Sequence, residues 1–468
     1  MPLIILALTL LALALAAGAQ PPRVFDPNDR EIVDAFLQET AKVPAQFSAD
    51  ECTRLADEDA DETEAVTWQA MPYLRMPLTA YQLTGDRKYL NLFVQAFDSL
   101  RSALSVGPDG FLGWYGKTDP DYRDPDDPDR KNDAIISSFS TAETVCDFLS
   151  LISQDTELSR KYAQQRTQYL DLVENQLVKK HEARGDFVDL GTEGAVYRSP
   201  PRALKPDSAR LTLPHNKHSI ILRGLLALYR VTGKDEYMRK AVQIGTRFKH
   251  CLVLKDGHYE WNYWDPAGQW DISPRDHDRW KHWMGPEHRG GYYALSVAQA
   301  VALYEYGLVF DRTDIDRFLK TQLERCWNGD MVNPQWSRVD GTRPPEYTQG
   351  AYIATALAPF SDKVAAFLFT GDRQEERRKS IGRSWQGGPV TGGWLHAKLV
   401  DFPARKGEQQ RYLDYGRKFL AKPSTRPAGK PENRRLVEEL TFAVTPPGYR
   451  PPTSPAQMRP MPPEPKPR

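Results

Sequence analysis

A helical phrase broken by a short polar turn recurs along this chain, and the recurrence restricts the fold more than any other property. In the stretch 77–104 the apolar residues fall three and four apart on both sides of Thr84-Gly85-Asp86. The stretch 220–251 carries Leu225, Leu226, Leu228 and Tyr229, breaks at Thr232-Gly233-Lys234-Asp235, and resumes with Tyr237, Ala241, Ile244 and Phe248. Residues 291–326 and 351–377 repeat the design less regularly, the latter around Thr370-Gly371-Asp372. In each Thr-Gly turn the glycine supplies the left-handed residue that ends one helix, and the aspartate that follows can cap the next. Helix pairs roughly 40 to 50 residues apart, separated by longer aromatic loops, predict an all-α fold: an (α/α) toroid or barrel of helical hairpins. In such a ring the inner helix ends and their loops line one central cleft.

The ends of the chain read differently from its middle. The apolar run from Pro2 to Ala17 is short for a bilayer, and Ala17-Gly18-Ala19 offers the small residues of a cleavage site, so residues 1–19 read as an export signal. No Lys or Arg precedes the run, which keeps an uncleaved anchor as the alternative. No second apolar segment of spanning length follows. The expectation is a secreted or periplasmic protein with no stable membrane span after cleavage. Residues 20–420 form the toroid, and from residue 421 to 468 Pro, Lys and Arg dominate, as in a solvated tail.

Lys plus Arg and Asp plus Glu each number 62, so the chain lacks the net positive charge of a general nucleic-acid binder. Cys52, Cys146, Cys251 and Cys326 are scattered without the paired spacing of a zinc or redox motif. One or two disulfides or buried free thiols both fit. The carboxylates of the segment 119–130 do not match a calcium loop and read as a solvated surface loop. No HExxH or comparable pattern is present, so no cofactor is expected; among metals, zinc or calcium would be the ones to consider.

Eight of the nine histidines lie between His181 and His288. Within that window His215-Asn216-Lys217-His218 opens a helix just after Pro214, where the positive end of the helix dipole disfavours imidazolium and leaves His218 able to accept a proton. Asn216 can hydrogen-bond a carboxylate, and Lys217 and Arg223 can add positive charge if they face inward. The alternative is that His215 and Asn216 cap the helix and His218 packs against it. In Tyr259-Glu260-Trp261-Asn262-Tyr263-Trp264, a Trp face can stack on a pyranose and a Tyr hydroxyl can move a proton at a glycosidic oxygen. A wall of aromatics between helices would use the same residues. The loop Glu287-His288-Arg289-Gly290-Gly291-Tyr292 offers Arg289 for a uronate carboxylate, or equally for a salt bridge to Glu287. Trp114 stands in a similar loop earlier in the chain.

The hairpin phrase, the Asn216/His218 pair and the Tyr- and Arg-bearing loops resemble the α/α-toroid polysaccharide lyases, particularly alginate and glucuronan lyases. Those enzymes use an Asn-His pair, an Arg and a Tyr; here Lys217 separates Asn216 from His218. The resemblance implies β-elimination on an acidic polysaccharide. Asn216 and Arg289 would then bind the uronate carboxylate, His218 would take the proton or neutralise charge, and Tyr263, with Tyr259 as its substitute, would serve the leaving oxygen. His215, Tyr259, Trp261, Trp264, His288, Tyr292 and Trp114 would line the substrate path. The alternatives are a glycoside hydrolase on the same toroid, which needs two carboxyl groups across the bond, and a non-catalytic carbohydrate-binding protein.

Overall fold

Both regular Thr-Gly turns close as their sequence requires. In the computed structural model Gly85 (φ 71°) and Gly233 (φ 69°) adopt the left-handed conformation. Each donates its backbone N–H to the helix it ends, Gly85 to Tyr81 at 2.7 Å and Gly233 to Tyr229 at 2.8 Å. The structure describes residues 27–60, 63–117, 131–200, 208–276, 279–287, 290–329, 335–342, 354–361 and 363–364. The export segment, the loop 119–130, the turn at Thr370 and the tail lie outside them.

Two helices, α1 (Pro27–Ala41) and α2 (Ala49–Asp57), precede the hairpins. The first hairpin joins α3 (Met71–Thr84) to α4 (Lys88–Ser102). The second joins α5 (Ile135–Ile152) to α6 (Thr156–Lys161), α7 (Ala163–Asp171) and, through a wide-turn segment Leu172–Val178, α8 (Lys179–Ala183). The third joins α9 (His215–Thr232) to α10 (Asp235–His250), and the fourth α11 (Gly290–Glu305) to α12 (Arg312–Lys320). The first helices of the four pairs pack side by side in chain order, α3 on α5, α5 on α9 and α9 on α11, and the second helices lie outside them. That inner row backed by an outer row is the layout of an α/α toroid.

The inner helices are buried almost all round, as their sequences allow. Helix α5 reads as one apolar run, and nearly every residue from Ile135 to Ile152 is buried. It is the one described helix long and apolar enough to cross a membrane, and it lies inside the core. Burial of each such Leu, Ile or Phe side chain contributes about 1.5–3 kcal/mol. Close approach of α5 and α9 depends on Gly224, where an added Cβ would sit 2.6 Å from the carbonyl oxygen of Phe139. Helix α3 starts earlier than Pro77, at Met71, and runs through that proline, because Met71, Leu74 and Leu78 share a face buried in the core.

Short loops join the two helices of each pair, and long ones connect one pair to the next. The long loops carry two-stranded antiparallel ribbons: β1 (Ser105–Val106) with β2 (Leu112–Gly113), β3 (Gly116–Lys117) with β4 (Lys131–Asn132), β5 (Phe187–Asp189) with β6 (Ala195–Tyr197), and β7 (Val253–Lys255) with β8 (His258–Glu260). They gather at the N-terminal ends of the inner helices.

Polar groups inside this core are paired in chains. His181 bridges Ser138 (3.1 Å) and Asp186 (3.0 Å), and Asp186 in turn takes a 2.8 Å bond from Arg210. Ser138, His181 and Asp186 are all buried, and the line ties α5 to the β5–β6 ribbon. Further along the inner helices a pocket opens between α3, α5, α9 and α11. Its charges are mutually paired, Glu143 with Arg75 (2.7 Å) and Arg223 (2.7 Å), and Asp147 with Arg230. All four cysteines are free and buried.

Candidate active site

At the long-loop end the start of α9 meets the segment before α3. Lys217, in the first turn of α9, forms an ion pair with Glu64. Glu64 is 4 % exposed and sits at φ 50°, a left-handed conformation that costs a non-glycine residue of order 1–3 kcal/mol. Its other oxygen accepts the indole N–H of Trp68 at 2.8 Å. Trp68 is 38 % exposed, so one carboxylate holds a cation on one side and an exposed aromatic platform on the other.

Asp59 lies behind Glu64. Its Oδ1 accepts the Val66 N–H (2.8 Å) and the Ser137 hydroxyl (2.7 Å), fixing the entry to α3 against α5, while its Oδ2 is buried without a hydrogen-bond partner. Burial first, then the nearby charges of Glu64 and Asp133, push the Asp59 carboxyl well above the ordinary carboxylate range, against the opposing bonds from Ser137 and Val66. A carboxyl whose burial favours the protonated form thus stands within electrostatic reach of a carboxylate held by an ammonium group. This is the separation of roles that acid/base pairs require.

Tyr263 completes the cluster. Its ring stacks on Tyr292 (centroids 5.6 Å apart) and meets His282 at 5.4 Å. Burial pushes its phenol above the ordinary value although Lys217 pulls it down, with Glu287 and Glu64 among the nearby charges. Asn216, 1 % exposed, has an amide oxygen without a hydrogen-bond partner. Glu287 is also buried, and the Ser296 hydroxyl lies 3.4 Å from it. Asn216, Tyr263 and Tyr292 therefore lie at one end of the ring with Glu64 and Lys217.

The other residues expected at the site have different places. The His218 Nε2 accepts the Tyr197 backbone N–H at 2.8 Å, so the lone pair that would take a proton is already engaged. Burial, with His215 adding, lowers its pKa to about 3. His215 faces Asp265, 3.1 Å away. Packing against the helix, the alternative given for His218, matches its placement. Neither His215 nor Asn216 caps the helix, since no side-chain bond closes its start.

Four of the aromatics form an interior wall. Trp114 donates to the Leu100 carbonyl (3.1 Å), Trp264 to that of Thr212 (2.7 Å), and the Tyr259 hydroxyl to Asp314 (2.6 Å). Trp261 stacks on Tyr293 at 5.6 Å. All four are buried, so their rings fill the space between helices instead of facing a sugar. Arg223 does face inward, but it stands two turns along α9 from Asn216, roughly 10 Å from the helix start. Its guanidinium is bound to Glu143. His288 and Arg289 lie outside the described residues. Sequence reading missed Asp59, Glu64 and Trp68; the only trace is a Glu and a Trp four apart, which share one helical face.

Among the described residues one group offers a metal ion three ligands, His215, Cys251 and Asp265, beneath the start of α9.

No family model and no curated protein matches the chain. Among solved structures it is similar to the unsaturated glucuronyl hydrolase of Bacillus sp. GL1, at 14% identity over 82% of each chain with a TM-score of 0.38. A variant of the α-1,6-mannanase GH76A of Salegentibacter sp. HEL1_6 matches at 12% identity over 84% of this chain and 98% of that one, TM-score 0.40. A D-mannose isomerase matches at 11% identity over 75% of this chain and 85% of that one, TM-score 0.39.

Proposed function

We propose that this protein is an exported carbohydrate-active enzyme that hydrolyses a glycosidic bond at the long-loop end of its helical ring, with Asp59 as general acid and Glu64 as the ionised partner. The observation that carries this reading is the pairing of unlike carboxyl environments: Asp59 buried with a free oxygen, Glu64 held by Lys217. A glycosidase needs that division, one carboxyl to protonate the leaving oxygen and one carboxylate to activate water or attack the sugar. Trp68 supplies an exposed stacking face beside them, and Asn216 an unused amide acceptor for a hydroxyl. Export rests on the apolar run 2–17 and its small-residue end.

Elimination on a uronic-acid polymer is the second reading, favoured by one observation. The Tyr263 phenol lies within electrostatic reach of the Lys217 ammonium, a proton-transfer group beside a cation that a uronate carboxylate would share. The engaged Nε2 of His218 speaks against that residue as the base and favours Tyr263 for the role.

Incubation with alginate, glucuronan, pectate, glycosaminoglycans and neutral glycans separates the readings. Hydrolysis predicts new reducing ends without absorbance from a carbon–carbon double bond. Elimination predicts reducing ends together with that absorbance. Binding without either product would leave a carbohydrate-binding protein.

A further inference from the structure

His215 is the first residue of α9, Cys251 follows the last residue of α10, and Asp265 lies in the loop after β8. Three separate segments thus bring an imidazole, a thiol and a carboxylate together, and their coordinating atoms all lie within 4.8 Å of one another. The His215 Nε2 and an Asp265 oxygen are 3.1 Å apart. Ligand atoms around a tetrahedral ion, at roughly 2.0–2.3 Å from it, stand roughly 3.3–3.8 Å from each other, so an ion needs only side-chain adjustment. All three residues are at least 96 % buried.

The surroundings hold these groups in place. The Asn262 amide donates to the second oxygen of Asp265 at 2.7 Å. The His215 ring lies 5.2 Å from that of Phe248, and the His215 carbonyl takes a 3.4 Å bond from Gln299. Outer partners of this kind orient metal ligands and fix the imidazole.

We propose that His215, Cys251 and Asp265 form a buried site for a divalent transition ion of the zinc class, with the fourth position open to water. The mixed nitrogen, sulfur and oxygen set suits zinc or cobalt and not calcium or magnesium, which take oxygen ligands. On binding, the Cys251 thiol releases its proton to solvent and the thiolate binds the ion. The neutral His215 ring exchanges its proton from Nε2, where it faces the Asp265 carboxylate, to Nδ1, so that the Nε2 lone pair meets the metal, and Asp265 binds as carboxylate. Two anionic ligands balance the dication, so the buried complex carries no net charge. The ion joins the start of α9 to the end of α10 and the loop bearing Tyr263. It goes beyond the glycosidase reading, whose acid/base pair shares no residue with the metal site and does not require it.

The test is titration of chelator-treated full-length protein with cobalt(II) chloride. The site predicts a thiolate-to-cobalt charge-transfer band saturating at one ion per chain, visible bands of a tetrahedral ion, and loss of both on addition of zinc. Cys251→Ser abolishes the charge-transfer band, and cobalt raises the melting temperature of the parent protein more than that of the variant. His215→Asn, checked for helicity by circular dichroism, weakens cobalt binding at least tenfold and serves if the serine variant does not fold. No charge-transfer band in folded parent protein overturns the site, as does an undiminished band in Cys251→Ser. Hydrolytic activity is read separately, so failure of the metal site leaves the glycosidase reading standing and the converse also holds.

Discussion

Glu64 and Trp68 lie four residues apart, and the carboxylate of the first accepts the indole N–H of the second at 2.8 Å. The bond fixes a ring that would otherwise rotate freely at the surface, and places its exposed face next to the carboxylate that also meets Lys217. Stacking surface and acid/base chemistry are thereby joined through one side chain.

Trp68→Ala removes the platform and leaves the carboxylates. The expected result is an increase of about tenfold in KM with kcat changed less than threefold, since a ring held against the sugar in both ground and transition states contributes uniform binding. Steady-state kinetics on the substrate found by the glycan panel measures it. Equal loss of kcat would show that Trp68 acts in the transition state.

Asp59→Asn separates catalysis from stability. The folded carboxyl is pushed well above its ordinary value of 3.8, so its contribution to stability is full below about pH 3.8 and is lost as pH rises through the folded pKa. The amide variant escapes that loss and is expected to resist urea better than the parent near pH 7. Its activity falls by about 10²–10⁴-fold on a substrate with a poor leaving group, and far less on an aryl glycoside that needs no protonation. Lower stability together with unchanged activity would remove Asp59 from the mechanism.

His218→Ala tests the histidine that the sequence placed at the centre of catalysis. Its Nε2 accepts the Tyr197 N–H, and removing that acceptor leaves a buried donor unpaired. The expected cost is about 1–3 kcal/mol in urea unfolding, with activity per folded molecule within about threefold of the parent. A loss of activity beyond a hundredfold in a folded variant would return the imidazole to the reaction.

The hairpins were legible because their signals are local: a 3.6-residue apolar period, a glycine at the left-handed cap, a polar turn. The pair built on α5 was harder to see, since a helix buried all round has no polar face to mark its period. At the site, residue types were visible and their directions were not. Trp114, Trp261 and Trp264 read as sugar platforms by type, yet each turns into the core, while Trp68, isolated in the sequence, and Trp283 are exposed among the described residues. The positive φ of Glu64 has no sequence signature, because only the folded chain imposes it.

The buried imidazoles of His181 and His218 predict a definite pH response. Burial lowers both below the ordinary value of 6.5, His218 to about 3. The unfolded chain therefore binds protons first as pH falls, so stability is full above about pH 6.5 and declines below it, for His218 down to about pH 3. Imidazole resonances followed by NMR are expected to stay in the neutral form at pH 5. Titration of both rings near 6.5 would contradict their burial.

The most direct measurement is the rate of glycan cleavage by Glu64→Gln beside the parent protein, with reducing ends and double-bond absorbance recorded together. The account predicts that the parent produces reducing ends alone, and that the variant, folded to the same helicity, is slower by about 10²-fold or more. Cleavage undiminished in Glu64→Gln, or no cleavage of any glycan by the parent, would contradict it.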